Sequence, residues 1–302
     1  MESTQRSVFA GFTENRMLSI ESDQLIAEIL DPSTNRDRLG TRYCAGGYVW
    51  QVRSRISGPL FTGPQWPSPT PTTFNGQGLP ESFRHHSRNG RSLTWNGDRG
   101  IALGIGELAR SSAGEIELVS PCVWSNNRDA SRVDFHTEHA AAGFHYDLVR
   151  TVQLSGRSLT STSQLTNLSE TPLELEWFAH PFFALSDRLI EVRLPEQTRL
   201  AENPGFSLAG RELRLKRRFE HERDGHMDLL HLPAGAHLDA TLSHPRLEFV
   251  QVSTDFPPSE TVIWGNDATF SIEPYRSIRL AHGETQSWSI SYRMGMEKRA
   301  AP

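Results

Sequence analysis

From about residue 91 to residue 300 the chain is a succession of short runs alternating apolar with polar residues, each closed by Gly, Pro, Asn or Asp, and no stretch longer than about ten residues keeps a helical period. GRSLTWNG, GIALGIGELA, FHYDLVRTVQLSG, SLTSTSQLTNLS, PLELEWFAHPFF, LEFVQVST and TQSWSISYRM are typical. Many short strands at regular spacing predict an all-β sandwich or barrel and argue against a parallel α/β sheet. The same pattern begins upstream. RMLSIESDQLIAEIL (16–30) predicts a first strand pair, and TRYCAGGYVWQVRS places aromatic and β-branched residues around a Gly-Gly kink. GPLFTGPQWPSPTPTTFNGQGLPESF (58–83) is rich in Gly and Pro, but Phe61, Trp66, Phe74 and Phe83 run through it, so it reads as a rim loop rather than a linker. The 302 residues would accommodate two average domains or one large β domain. No repeat or boundary divides them, so one domain over 1–302 is expected, with flexible ends at 1–15 and 295–302.

The net charge of −5 provides no general attraction for phosphate backbones or anionic membranes, so neither nucleic acid nor a membrane is expected as a partner. There is no apolar run of about 18 residues and no signal-peptide core, which makes the cytoplasm the default compartment. Cys44 and Cys122 are the two cysteines, without metal-type spacing, and are expected as thiols.

Two segments carry residues suited to proton transfer. In WFAHPFFAL (177–185), His180 ends an apolar strand at a proline; it is either a core histidine satisfied by a carbonyl or a proton donor in a dry, aromatic setting that also suits the apolar face of a sugar. In FSIEPYRSI (270–278), alternation sets Phe270 and Ile272 on one side of a strand and Ser271 and Glu273 on the other, so Glu273 lies on a solvated face or serves as a base. VIWGND (262–267) ends in a turn that would bring Trp264 and Asn266 to the same rim. FNGQGLPESFRHHSRNG (74–90) concentrates Asn75, Gln77, Glu81, Arg84, His85 and His86 on one loop, a density that suits a polyhydroxylated ligand or a plain polar loop. Arg84, Arg88 and Arg91 would bind a phosphate or simply be solvated. His136 and His139, three apart in an extended segment, point to opposite faces, and no carboxylate completes a ligand set with His145, so no metal is expected. RELRLKRRFEHER (211–223) reads as the solvated face of a strand, and Gly104 and Gly106 lack the following helix of a phosphate loop.

Taken together, GGYVWQV, PLFTGPQWP, LSGRSLTSTSQLTNLSETPLELEWFAHPFF and VIWGNDATFSIEPYRSIRLAHGETQSWSISY give the chain, over roughly 16–294, a resemblance to the galactose mutarotase-like superfamily, that is, aldose 1-epimerases and their hexose-phosphate mutarotase relatives. The resemblance implies a single-domain β supersandwich with a small-molecule sugar bound on its concave sheet, acting without a cofactor as a monomer or homodimer. It implies Glu273 as the base on the anomeric hydroxyl, His180 as the acid toward the ring oxygen, and Asp228 in GHMDLLHL as a holder of sugar hydroxyls. The sequence departs from the pattern at PESFRHH: Glu81 stands where relatives carry a histidine followed by glycine, an aromatic residue and an arginine. The family's second histidine is then missing or displaced to His85 or His86, and either the substrate differs, with Glu81 binding hydroxyls, or His180 and Glu273 work less well as an epimerase pair. That departure keeps a non-catalytic carbohydrate-binding protein, or an interaction scaffold, open beside an epimerase.

Overall fold

The computed structural model describes residues 17–67 and 76–298. The expected all-β architecture is what the chain adopts. Two large antiparallel sheets are accompanied by two four-stranded ones, and the only helix among the described residues is the single turn Arg36–Arg38. No helix among them is long and apolar enough to cross a membrane.

The ten-stranded sheet is built around the long strands Arg132–Ala141, Phe144–Ser155, Ser158–Asn167 and Thr285–Met294. The seven-stranded sheet runs in the order Arg199–Leu200, His226–His231, Glu260–Gly265, Thr269–Leu280, Leu173–Ala179, Glu81–Arg84, with Phe183–Ala184 also paired to Thr269–Leu280. Alternation along these strands sends one set of side chains into a shared core. Trp177 and Phe83 from the seven-stranded sheet meet Trp288 from the ten-stranded one, with ring centroids 5.9 and 6.1 Å apart, and Phe206 meets Phe270 at 6.0 Å. Because a large buried aromatic ring removes more apolar surface from water than any aliphatic side chain, these contacts fix how the two sheets face each other.

One break in the seven-stranded sheet matters for the site. Leu173–Ala179 pairs with Thr269–Leu280 as far as Phe178 opposite Tyr275, and pairing resumes only at Phe183 opposite Phe270. Pro181 and Pro274, which have no N–H to give to a ladder, both fall in this interval. The interval is a notch in the sheet with His180 at its edge.

Three expectations need correction. Part of the loop expected at 74–90 is strand: Glu81–Arg84 pairs with Leu173–Ala179 because Phe83 fits beside Trp177. Residues 295–298 are not a loose end. Glu248 N–H donates to the Met296 carbonyl, Lys298 N–H to that of Arg246, and Glu297 takes up Arg157 and Ser54. In 211–223 only Glu212–Leu215 is strand, and Arg217 and Arg218 beyond it pair with Asp224 and Asp187. The expectation for 1–15 lies outside the described residues.

Candidate active site

Register places the site residues on the face of the seven-stranded sheet turned away from the ten-stranded one. Glu273 sits opposite Val262, Ser271 opposite Trp264, and Tyr275 opposite Phe178, and directly opposed residues share a face. His180 enters this face from the notch. Its Nε2 lies 3.3 Å from Glu273 Oε1 and its Nδ1 3.1 Å from Ser271 Oγ. The backbone holds it there: His180 N–H donates to the Pro80 carbonyl at 2.9 Å. The imidazole stacks on Phe182 at 4.5 Å and meets Trp264 edge-on at 5.9 Å.

Both groups are nearly sealed, with 5% of His180 and 4% of Glu273 exposed. Charge is costly in such a place. Burial pushes the Glu273 carboxyl up to about 7, although the Arg42 guanidinium and hydrogen bonds from Ser271 and Tyr275 pull the other way. Burial drives the His180 imidazole well below its usual range, and the charge of Arg42 adds to the effect. The contact therefore favours one proton shared between an acid and a base. Glu273 is thus not on a solvated strand face: the alternation predicted for 270–273 holds, but the face is buried at this point, with the Arg42 charge near Glu273 and Tyr43 edge-on to His180.

Beside the pair is a cavity of about 750 Å³ lined by Arg42, Ser82, Arg84, His85, Phe178 and Tyr275 among others. Phe178 and Tyr275 stack in parallel at 4.7 Å, and the Tyr275 hydroxyl lies 3.5 Å from Glu273 Oε2, so this wall joins the cavity to the pair behind it. Parallel aromatic rings offer the apolar surface on which a sugar ring packs, and the arginines offer donors. Arg84 and Arg88 are each held by a carboxylate, Glu176 at 3.5 Å and Glu260 at 3.0 Å, while Arg91 pairs with Glu174 at 2.9 Å. His85 accepts a hydrogen bond at Nδ1 from Trp95 Nε1 at 2.9 Å, and burial, with His86 and two arginines nearby, lowers it to about 4. It is therefore a neutral imidazole with its proton on Nε2.

Of the remaining residues singled out from the sequence, Trp264 faces His180 as described, and Asn75 lies outside the described residues. Glu81 and Asp228 are placed elsewhere. Glu81 has the parity of Phe83, so its side chain enters the core, where its carboxylate lies 2.7 Å from Arg150 and accepts from Trp177 Nε1 at 2.9 Å. It is in no position to bind a ligand in the cavity. Asp228 is opposite Ile263, which is itself opposite Ile272, so it lies on the opposite face from Glu273 and accepts from its own neighbour Leu229 N–H. Asn266 is a turn residue, accepting from Ala268 and Thr269 N–H. His136 and His145 face Asp147 and Glu138 on neighbouring strands. Cys44 and Cys122 are buried and free. Sequence reasoning missed Arg42, Tyr43 and Ser82; the one signal for the first two was their position just before the Gly-Gly kink.

No family model matches this sequence, and no curated protein matches it. Solved structures do. A galactose mutarotase-like protein from Lactobacillus casei superposes with a TM-score of 0.59 at 16% identity, over 92% of this chain and 99% of that one. A galactose mutarotase related enzyme from Lactobacillus acidophilus gives 0.57 at 13% identity, over 94% and 100%. A galactose mutarotase-like protein from Clostridium acetobutylicum gives 0.54 at 12% identity, over 92% and 94%. At these identities the likeness establishes the fold: the chain has the galactose mutarotase-like β-sandwich fold.

Proposed function

We propose that the protein is an aldose 1-epimerase-like enzyme that interconverts the anomers of a monosaccharide or modified sugar by opening and closing its ring. The observation that carries this reading is the convergence of His180 and Glu273 at 3.3 Å beside an aromatic and arginine-lined cavity. Anomers interconvert slowly in water, so paired proton transfer is the whole of the required chemistry.

The pair in contact holds one proton. With a sugar seated between the two groups, the reactive form is Glu273 carboxylate and His180 imidazolium. Glu273 removes the proton of the anomeric hydroxyl as His180 Nε2 delivers one to the ring oxygen; the bond from C1 to the ring oxygen breaks and the C1 carbonyl forms. Glu273 is now the acid and His180 the neutral base, with the same total of protons. Rotation about C1–C2 and the reverse transfers close the ring on its other face. Seating the sugar requires the two side chains, now in contact, to separate, a rearrangement of side chains on a rigid sheet.

The second reading is a carbohydrate-binding protein without catalysis, and the specific support for it is that acid and base now touch each other and are almost closed to solvent. Anomer exchange followed by NMR or polarimetry over a panel of neutral and phosphorylated aldoses separates the two. Acceleration above the buffer rate supports the enzyme, and sugar binding without acceleration supports the binding protein.

A further inference from the structure

The Arg42–Cys44 segment is pinned at both ends to the strand that borders the notch. Ser82 Oγ donates to the Arg42 carbonyl at 2.6 Å, and Cys44 N–H donates to the Glu81 carbonyl at 2.8 Å. Between these two bonds the Tyr43 side chain turns inward, 4% exposed. Its ring stands edge-on to His180, with centroids 6.1 Å apart at 88°, and carries the Arg42 guanidinium 5.1 Å above it. Gly76 packs closely on one edge of the ring. A Cβ built on Gly76 would fall 2.9 Å from Tyr43 Cε2 and 3.0 Å from Phe182 Cε2.

The Tyr43 hydroxyl has no hydrogen-bond partner among the described residues. The neighbouring Tyr48 hydroxyl does have one, from Gln77 N–H at 3.2 Å. Buried hydroxyls in folded proteins are paired as a rule, and an exception calls for an explanation. Burial, with the Glu273 carboxylate nearby, keeps the phenol in its protonated, donating form.

We propose that the Tyr43 hydroxyl is a third catalytic group of this site, a neutral donor to the anomeric oxygen of the bound sugar. The inference rests on the epimerase reading above. On ring closure, negative charge develops on that oxygen as the C1 carbonyl is attacked, and a fixed donor in a dry site stabilises it more than water would. No proton leaves Tyr43, so the transfers between Glu273 and His180 remain balanced.

The test is Tyr43→Phe in the full chain, measured beside the unchanged protein in the same anomer-exchange assay. Loss of an unpaired hydroxyl should leave the urea midpoint unchanged or higher, while kcat falls by roughly 10- to 100-fold with KM within about threefold. A merely structural tyrosine would alter the midpoint and spare kcat. As a second measurement that preserves shape, ring-fluorinated tyrosines at position 43 should make kcat vary with phenol acidity. An active unchanged protein with undiminished kcat in Tyr43→Phe, or a flat response to fluorination, overturns the tyrosine's role alone. No exchange above buffer in the unchanged protein overturns the epimerase reading and this inference with it.

Discussion

His180 and Glu273 each relieve a problem the other creates: a sealed carboxylate needs a proton or a cation, and a sealed imidazole needs an acceptor or neutrality. The pair keeps its single proton below the folded value of about 7 for Glu273 and loses it as pH rises through that value. A second proton is resisted until well below the ordinary histidine range. The buffer-corrected kcat/KM should therefore be flat on the mildly acidic side and fall as pH rises above about 7, approaching tenfold per pH unit. A rate that climbs between pH 7 and 8.5 would contradict this assignment. Local signals, the alternation in FSIEPYRSI and the proline after His180, singled out the two residues but left each open to a structural reading, and their pairing as acid and base came from the family resemblance. Burial was not legible, since the segment carrying Arg42 and Tyr43, which stands against His180 and puts a charge near Glu273, is far away in sequence and is held there by hydrogen bonds to Glu81 and Ser82.

At the scale of elements, the departure at Glu81 takes on a different meaning. On a loop it would be a ligand-binding carboxylate; on the strand Glu81–Arg84 its parity makes it the core partner of Arg150. Sequence alone could not decide this, because a shift of one residue in strand register exchanges the two faces. Removing one member of a buried ion pair strands the other charge, so Glu81→Ala should lower stability by about 3–5 kcal/mol, read from urea denaturation. Glu81→Leu combined with Arg150→Met should cost clearly less than Glu81→Ala. Sugar KM measured on the folded fraction of Glu81→Gln should change by less than about threefold, whereas a residue bonded to sugar hydroxyls would move it by tenfold or more. The tail shows the same limit of local reading: GMEKRAAP looks frayed, yet Glu297 reaches Arg157 at 3.3 Å.

For the molecule as a whole, the fold class followed from the run of short alternating strands, and the sheet order did not, because pairing between distant strands leaves no local mark. The fold holds several histidines neutral, most of them in buried or half-buried positions. His85 and His244 are lowered to about 4, chiefly by burial, and burial also holds His180 well below its ordinary value. Between the unfolded value near 6.5 and these folded values the unfolded chain binds more protons, so stability falls as pH drops through that window. Glu273 and Glu176, both raised chiefly by burial, work in the opposite sense, gaining stability as pH falls toward the unfolded value near 4.5, but they are two groups against five, since His86 and His139 are lowered as well. The urea midpoint should be lower at pH 5 than at pH 7.5; a higher midpoint at pH 5 would mean that these histidines are not held neutral.

The central claim is that His180 and Glu273 act as one proton-transfer unit on a sugar. It is tested most directly by anomer-exchange rates for the unchanged protein, His180→Ala, Glu273→Gln and the double variant on one responsive sugar. The account predicts acceleration above buffer in the unchanged protein, a loss of about 100-fold or more in each single variant, and no greater loss in the double. Full activity in either single variant, or losses that multiply in the double, would contradict it.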